Sequence, residues 1–352
     1  MINRFVDAIK ADIKIIFVAA LCCSLLLFIL ASKSISGLKP DSIIYNTILF
    51  FAIWFLLISF RIIRIMFIDK PKNLINTIIE NEININILSN YIRASPVIIL
   101  LCIYMPIFSS MKSAIPLFNN FQWDPVFIEW DRWIFGKDAW KIFHPLLFQP
   151  IILAIIALLY HMWILLIYAG GLFFAFKLEN PDLRQRYFIS YFLVWTLIGG
   201  LMATYFSSVG PCFADPLLGI ADFEPLMDEL TRANDQFPII VLDVQKGLIQ
   251  WQHHGERGLG SGITAMPSMH VSLALLFFLA VRHLSQTAKW VFALFFCITC
   301  VGSIVTGYHY AVDGIVAAAA TLFIWMAVGF AFRFKSSTTV QPKTMLATRG
   351  AR

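Results

Sequence analysis

The chain has 352 residues, 59% of them hydrophobic and only 14% charged, and 33 are phenylalanine. That composition excludes a soluble domain, because apolar runs of about 20 residues are long enough to cross a bilayer. The net charge of +6 then reads as a topology signal on a polytopic all-α membrane protein, not as a nucleic-acid footprint.

In chain order, transmembrane helices are expected at residues 15–31, 43–60, 92–110, 151–176, 187–206, 269–285, 290–308 and 311–332, about eight spans. The first follows Lys10 and Lys14 but no small-residue cleavage site comes after it, so it is expected to be retained and not removed as a signal peptide. Between the second and third spans, "DKPKNLINTIIENEININILSN" is polar enough for a cytoplasmic linker with one amphipathic helix. It divides an N-terminal unit of two spans (residues 1–90) from a six-span core (residues 91–334). The tail, residues 335–352, is basic and has no apolar periodicity, which reads as disorder.

Eight spans place both termini on one side. Of the 27 Lys and Arg residues, 18 fall on that side and 9 (Lys33, Lys39, Lys112, Arg132, Lys137, Lys141, Arg232, Lys246 and Arg257) on the other. The positive-inside rule makes the termini cytoplasmic. Both long loops, residues 111–150 and 207–267, then lie outside, where the chemistry is expected. The absence of any Asn-x-Ser/Thr sequon leans toward a bacterial inner membrane. Five of the six cysteines lie within spans and only Cys212 is in an outer loop, so neither a disulfide framework nor a zinc spacing can be built.

"TAMPSMHVSLALLFFLA", residues 264–280, opens the sixth span with an ionisable side chain, His270. The next span returns to "GYHYAVDGIVAAAA", residues 307–320. His270, His309 and Asp313 therefore emerge on one face. If the last segment is helical, His309 and Asp313 are four residues apart on one side of it, and the carboxylate orients the imidazole as a nucleophile or base requires. Ser268 is placed to cap the helix behind Pro267, and the free amides of that first turn favour an anion such as phosphate. Gly258, Gly260 and Gly262 upstream are either a phosphate cradle or ordinary turn chemistry.

Pro267-Ser268-Met269-His270 followed by His309-x-x-x-Asp313 resembles the second and third signature segments of the type 2 phosphatidic acid phosphatase superfamily. Met269 stands where that family has glycine. Ser303 stands where its third segment has an arginine, and its first segment, Lys-x6-Arg-Pro, is absent, since Asn119 lies seven residues after Lys112. These departures, with "KSAIPLFNNFQWDPVFIEWDRWIFG" (residues 112–136) and "SSVGPCF" (residues 207–213), resemble the inositol phosphorylceramide synthase-like branch and its bacterial relatives. The resemblance implies a six-helix catalytic core and transfer of a phosphorylated head group from a lipid donor. It implies that His309 is the nucleophile, that Asp313 holds its tautomer, and that His270 is the acid and then the base. No metal or other cofactor is implied, and the expected partners are a lipid phosphate or phospholipid and the bilayer.

Ser268, Lys112 and Arg257 are the candidates for holding the phosphate, although basic residues at span ends also snorkel to the interface. His161, about ten residues into the fourth span, is either functional or a neutral histidine bonded to a neighbouring helix. His253 and His254 read as a solvated loop. Three classes of function stay open: head-group transferase, lipid phosphate phosphatase, and a transporter or scaffold with a polar cavity.

Overall fold

The computed structural model describes residues 2–82, 85–255 and 260–332, and among these there are helices and turns but no strands. Arg257 and the tail 335–352, both given expectations above, lie outside the described residues. The helices are α1 (Ile2–Ala11), α2 (Ile13–Ala31), α3 (Pro40–Asp69), α4 (Leu74–Glu82), α5 (Ile85–Phe118), α6 (Asp124–Phe135), α7 (Trp140–Leu147) and α8 (Pro150–Ala175). There follow α9 (Pro181–Tyr205), α10 (Pro211–Leu218), α11 (Glu224–Asn234), α12 (Ile240–His253), α13 (Met269–Val281), α14 (Gln286–Val305) and α15 (Ala311–Ala331).

Seven of these, α2, α3, α5, α8, α9, α14 and α15, are long and apolar enough to cross a membrane. The segment expected as the sixth span is the 13-residue helix α13. At 1.5 Å per residue it covers roughly 20 Å, and nine of its residues are buried. It is wrapped by protein on most sides, so its apolar length reflects a core as much as a bilayer. The two long loops expected outside are not open coil: α6 and α7 fill the first, and α10, α11 and α12 fill much of the second.

Helix α5 carries Lys112 inside its last two turns rather than beyond its end. It contains Pro96, Pro106 and Pro116, each of which removes an amide and frees the carbonyl four residues earlier. Ser95 Oγ donates to the freed carbonyl of Ile92 at 2.8 Å, and Asn46 Nδ2 donates to that of Cys102 at 3.1 Å. Asn46, fully buried on α3, also accepts from the Tyr168 hydroxyl at 3.2 Å. Substitute donors thus satisfy the carbonyls freed by two of the three prolines.

Two apolar cores form. One joins α2, α5, α9, α13 and parts of α8 and α15, and the other joins α6, the first half of α8, residues 209–214, α11, α12 and residues 305–312. On the first, Asp12 and Arg184 make a buried two-pronged ion pair, and Arg184 Nε donates to the carbonyl of Ala175 at 3.1 Å. That pair ties the start of α2 to α9.

Candidate active site

His270 comes from the first turn of α13. Ser268 caps that helix, its hydroxyl accepting from the amide of Val271 at 3.4 Å. The serine is fully buried and does not line the cavity described below. Its amide donates to the carbonyl of Asp313 at 3.3 Å, which joins the start of α13 to the start of α15.

His309 is not on a helix with Asp313. Helix α15 starts at Ala311, with Tyr310 as its N-cap and Asp313 in its first turn. The chain leaves α14 at Val305, turns at Gly307 (φ +76°) and folds back, so that the amide of His309 donates to the carbonyl of Ser303 at 3.0 Å. The expected contact is made all the same. Asp313 Oδ2 lies 3.3 Å from His309 Nδ1 and accepts from the amide of Tyr310 at 3.0 Å. Ser303, at the position of the missing arginine, supplies a backbone acceptor to His309 and no cation, its hydroxyl donating within α14 to Cys300.

The other ring nitrogen of His309, Nε2, is 3.3 Å from Nδ1 of His270. With the His309 Nδ1 proton on the Asp313 side, Nε2 accepts and His270 Nδ1–H donates. His309 is 4% exposed. Burial pushes its pKa down to about 3, with Lys112 adding in the same direction and a hydrogen bond to Ala265 opposing. The ring is neutral at physiological pH and keeps a lone pair.

The ring of His270 stacks on Tyr160 (centroids 4.6 Å, 21° between planes) and leans on Trp163 at 4.2 Å. These aromatic neighbours were not foreseen, because nothing in the spacing of α8 points to α13. Both histidines open on a cavity of about 40 Å3 whose wall also includes Lys112, Thr264, Met269, Gly199 and Trp195. The space suits a few water molecules, at roughly 10–15 Å3 for each. Lys112 lines it beside both histidines. Met269 is accommodated by Gly199, where an added Cβ would come within 2.8 Å of the methionine sulfur and 2.9 Å of Phe108.

Of the proposed glycine cradle, Gly258 lies outside the described residues, and the amide of Gly260 is already taken. Gly260 donates its amide to Ser109 Oγ at 3.1 Å, Ser261 and Ser113 join hydroxyls at 2.7 Å, and Gly262 (φ +94°) presses on the backbone of Lys112 and Ser113. Residues 260–262 are thereby docked on α5. His161 Nδ1 lies 3.1 Å from the carbonyl of Ala157 on its own helix and its ring meets Tyr308 edge-on at 6.2 Å, while His253 and His254 are exposed. Among the described residues, no three His, Cys, Asp or Glu side chains are grouped to hold a metal ion.

Two carboxylates absent from the expected site sit directly behind it, both on α6. Asp124 accepts from the amides of Val209 (3.0 Å) and Gly210 (2.9 Å) and from the hydroxyl of Tyr310 (2.9 Å). Asp131 accepts from the amides of Ala311 (2.8 Å) and Val312 (2.9 Å). Burial pushes both carboxyls above the ordinary range, and the amides pull the other way. Their only trace in the sequence is the seven-residue spacing within "DPVFIEWD", which puts them on one helix face.

No curated protein and no solved structure matches the chain. The sequence profile of the PAP2 superfamily does, over residues 126–327, a segment that holds His270, His309, Asp313 and Asp131 and leaves out Lys112 and the N-terminal helices. Since that match spans more than half of the chain, the protein belongs to the PAP2 superfamily.

Proposed function

We propose that this integral membrane protein is a phosphotransferase that moves a phosphorylated head group from a phospholipid donor to an alcohol acceptor, in the manner of the inositol phosphorylceramide synthase-like branch. Members of its superfamily are generally phosphatases or phosphotransferases acting on lipid-like substrates. The observation that carries the reading is that His309, His270 and Lys112 face one small cavity, with Asp313 against the far nitrogen of His309.

In the scheme, Nε2 of His309 attacks phosphorus, and the bond from phosphorus to the donor's alkoxide oxygen breaks. His270, charged in the presence of the phosphate anion, gives its proton to that oxygen. Asp313 stabilises the imidazolium character that develops on His309. In the second half, neutral His270 takes the proton of the acceptor hydroxyl, whose oxygen displaces the P–N bond and restores both rings. Lys112 is the cation for the phosphate, with Arg257 as a further candidate from sequence. Ser268 acts through its cap on α13, the helix that carries His270. The scheme uses no metal ion or other cofactor, so turnover should survive excess EDTA.

Hydrolysis is the second reading, since the cavity admits water. Incubating purified protein with a labelled phospholipid, with and without a long-chain alcohol acceptor, separates the two. Label on the acceptor supports transfer. Release of free phosphate alone, from a phospholipid or a lipid phosphate and whatever acceptor is present, makes the protein a lipid phosphate phosphatase, and no turnover with any lipid phosphate removes both. The distribution of Lys and Arg supports an extracytoplasmic site, and the lack of an Asn-x-Ser/Thr sequon leans toward a bacterial inner membrane.

A further inference from the structure

Helix α6 takes no part in the scheme above, yet one of its faces is spent on the segment that carries His309 and Asp313. Asp124, Phe127, Ile128 and Asp131 are buried and share that face. Among the described residues neither Asp124 nor Asp131 forms a salt bridge. Apart from the hydroxyl of Tyr310, the partners of the two carboxylates are backbone amides.

Those amides matter because of where they are. The first amides of a helix have no acceptor within it, and a side chain at the N-cap position normally supplies one. At α15 the work is divided. Asp313 reaches back to the amide of Tyr310, while the next two amides, of Ala311 and Val312, both go to Asp131, 180 and 181 residues away in sequence. An anion at a helix N-terminus also meets the positive end of its dipole. Without it, two buried amides lose their acceptor in the same turn that holds Asp313.

We propose that Asp131 is a positioning residue for phosphoryl transfer: by capping α15 from a different helix, it fixes the turn on which Asp313 stands and through Asp313 aims the ring of His309. Asp124 assists by holding Tyr310 and the 209–210 loop against the same turn. The consequence for turnover rests on the roles proposed above for His309 and Asp313, whereas the cap itself does not.

Two measurements on full-length Asp131→Asn and Asp131→Ala test it. The first is hydrogen exchange by mass spectrometry, which needs no substrate. Exchange should speed up in peptides covering residues 309–314, more for alanine than for asparagine, and stay as in wild type in α8 and α14. The second is single turnover with a chromogenic phosphodiester, following acid-labile phosphate on the protein. The fraction of enzyme that becomes labelled should be unchanged, while the rate constant falls about 10- to 100-fold, the order expected for a misplaced reacting group.

A residue needed only for folding would lower the labelled fraction and leave the rate constant of the folded part alone, which overturns the proposal. Wild-type protection at 309–314 in either variant overturns it too. If the alanine variant does not fold, the asparagine variant, similar in shape and still able to accept from one amide, decides on both counts. Wild-type protein that labels with no phosphodiester would fail the functional reading, and the exchange result would still decide the cap.

Discussion

Nε2 of His309 and Nδ1 of His270 stand 3.3 Å apart, so the nitrogen that would meet phosphorus already has a partner in the resting protein. A lipid phosphate has to break that contact, and His270 then turns its proton toward the departing oxygen. Removing His270 should therefore leave the nucleophile in place but cost the acid. His270→Ala is expected to lose about 10²- to 10⁴-fold in turnover on a phospholipid, yet still to form acid-labile phosphohistidine from a nitrophenyl phosphodiester, whose leaving group needs no proton. His309→Ala should form none. Acid-labile phosphate trapped on His309→Ala would refute the assignment of the nucleophile.

Asp313 makes its contacts through one oxygen, to the ring of His309 and to the amide of Tyr310. An asparagine can keep the tautomer of His309 but cannot balance an imidazolium charge. Asp313→Asn should fold, bind the lipid with a KM near that of wild type, and lose most of kcat. Near-wild-type kcat in the variant would remove the carboxylate from the reaction.

Burial of His309 gives the reaction a pH signature. The nucleophile must be neutral, so activity is lost as pH falls through its pKa, and that pKa is held down at about 3. The groups that face the ring are Asp313, His270, Lys112 and the carbonyl of Ala265; the hydrogen bond to Ala265 favours the charged form, while burial and Lys112 oppose it. The pH profile of kcat/KM, which reports the free enzyme, should show no acid limb from His309 between pH 5 and 7. A limb with its midpoint near the ordinary histidine value of about 6.5, shifted in Asp313→Asn, would mean that the carboxylate outweighs burial.

Much of this site was readable from residue types and spacing. Pro267 to His270 announces a capped helix, and the cap is there; the separation of His309 from Asp313 announces a contact, and it is made. The reason it is made was not readable, because the helix begins two residues after His309 and Asp313 reaches back over its first turn. Helix α13 was expected to be longer, since a hydrophobic segment enclosed by neighbouring helices and one bathed in lipid look alike in sequence. Asp131 left only its seven-residue spacing from Asp124, which does not say what the carboxylate meets. Its partners lie 180 residues away, and an acidic residue in an outer loop ordinarily faces water.

The ion pair of Asp12 and Arg184 is nearly inaccessible, with side chains 2% and 5% exposed. Removing one member leaves a buried charge without its partner, which typically costs about 3–5 kcal/mol. Asp12→Ala is expected to lower the midpoint of thermal denaturation in detergent by several degrees, and Arg184→Met alone should do the same. The double variant Asp12→Leu with Arg184→Met should recover most of the loss. A single Asp12→Ala as stable as wild type would show that the pair does not fasten α2 to α9.

Topology is the most demanding expectation, because both histidines must reach one aqueous face. From the bias of 18 to 9 in Lys and Arg, α12 is expected outside and the turn between α13 and α14 in the cytoplasm. On a background without native cysteines, His254→Cys at the end of α12 should react with a membrane-impermeant maleimide added to intact cells. Gln286→Cys at the start of α14 should react only after the membrane is opened; both positions are exposed, so access is set by the bilayer and not by the fold. The reverse pattern would move the reaction to the cytoplasmic side. Labelling of both from outside would mean that α13 does not complete a crossing. Because its first turn meets His309 at 3.3 Å, the two histidines would still share a site, but α14 and α15 would have to be threaded through the membrane again, and the count of basic residues would no longer say which leaflet supplies the lipid.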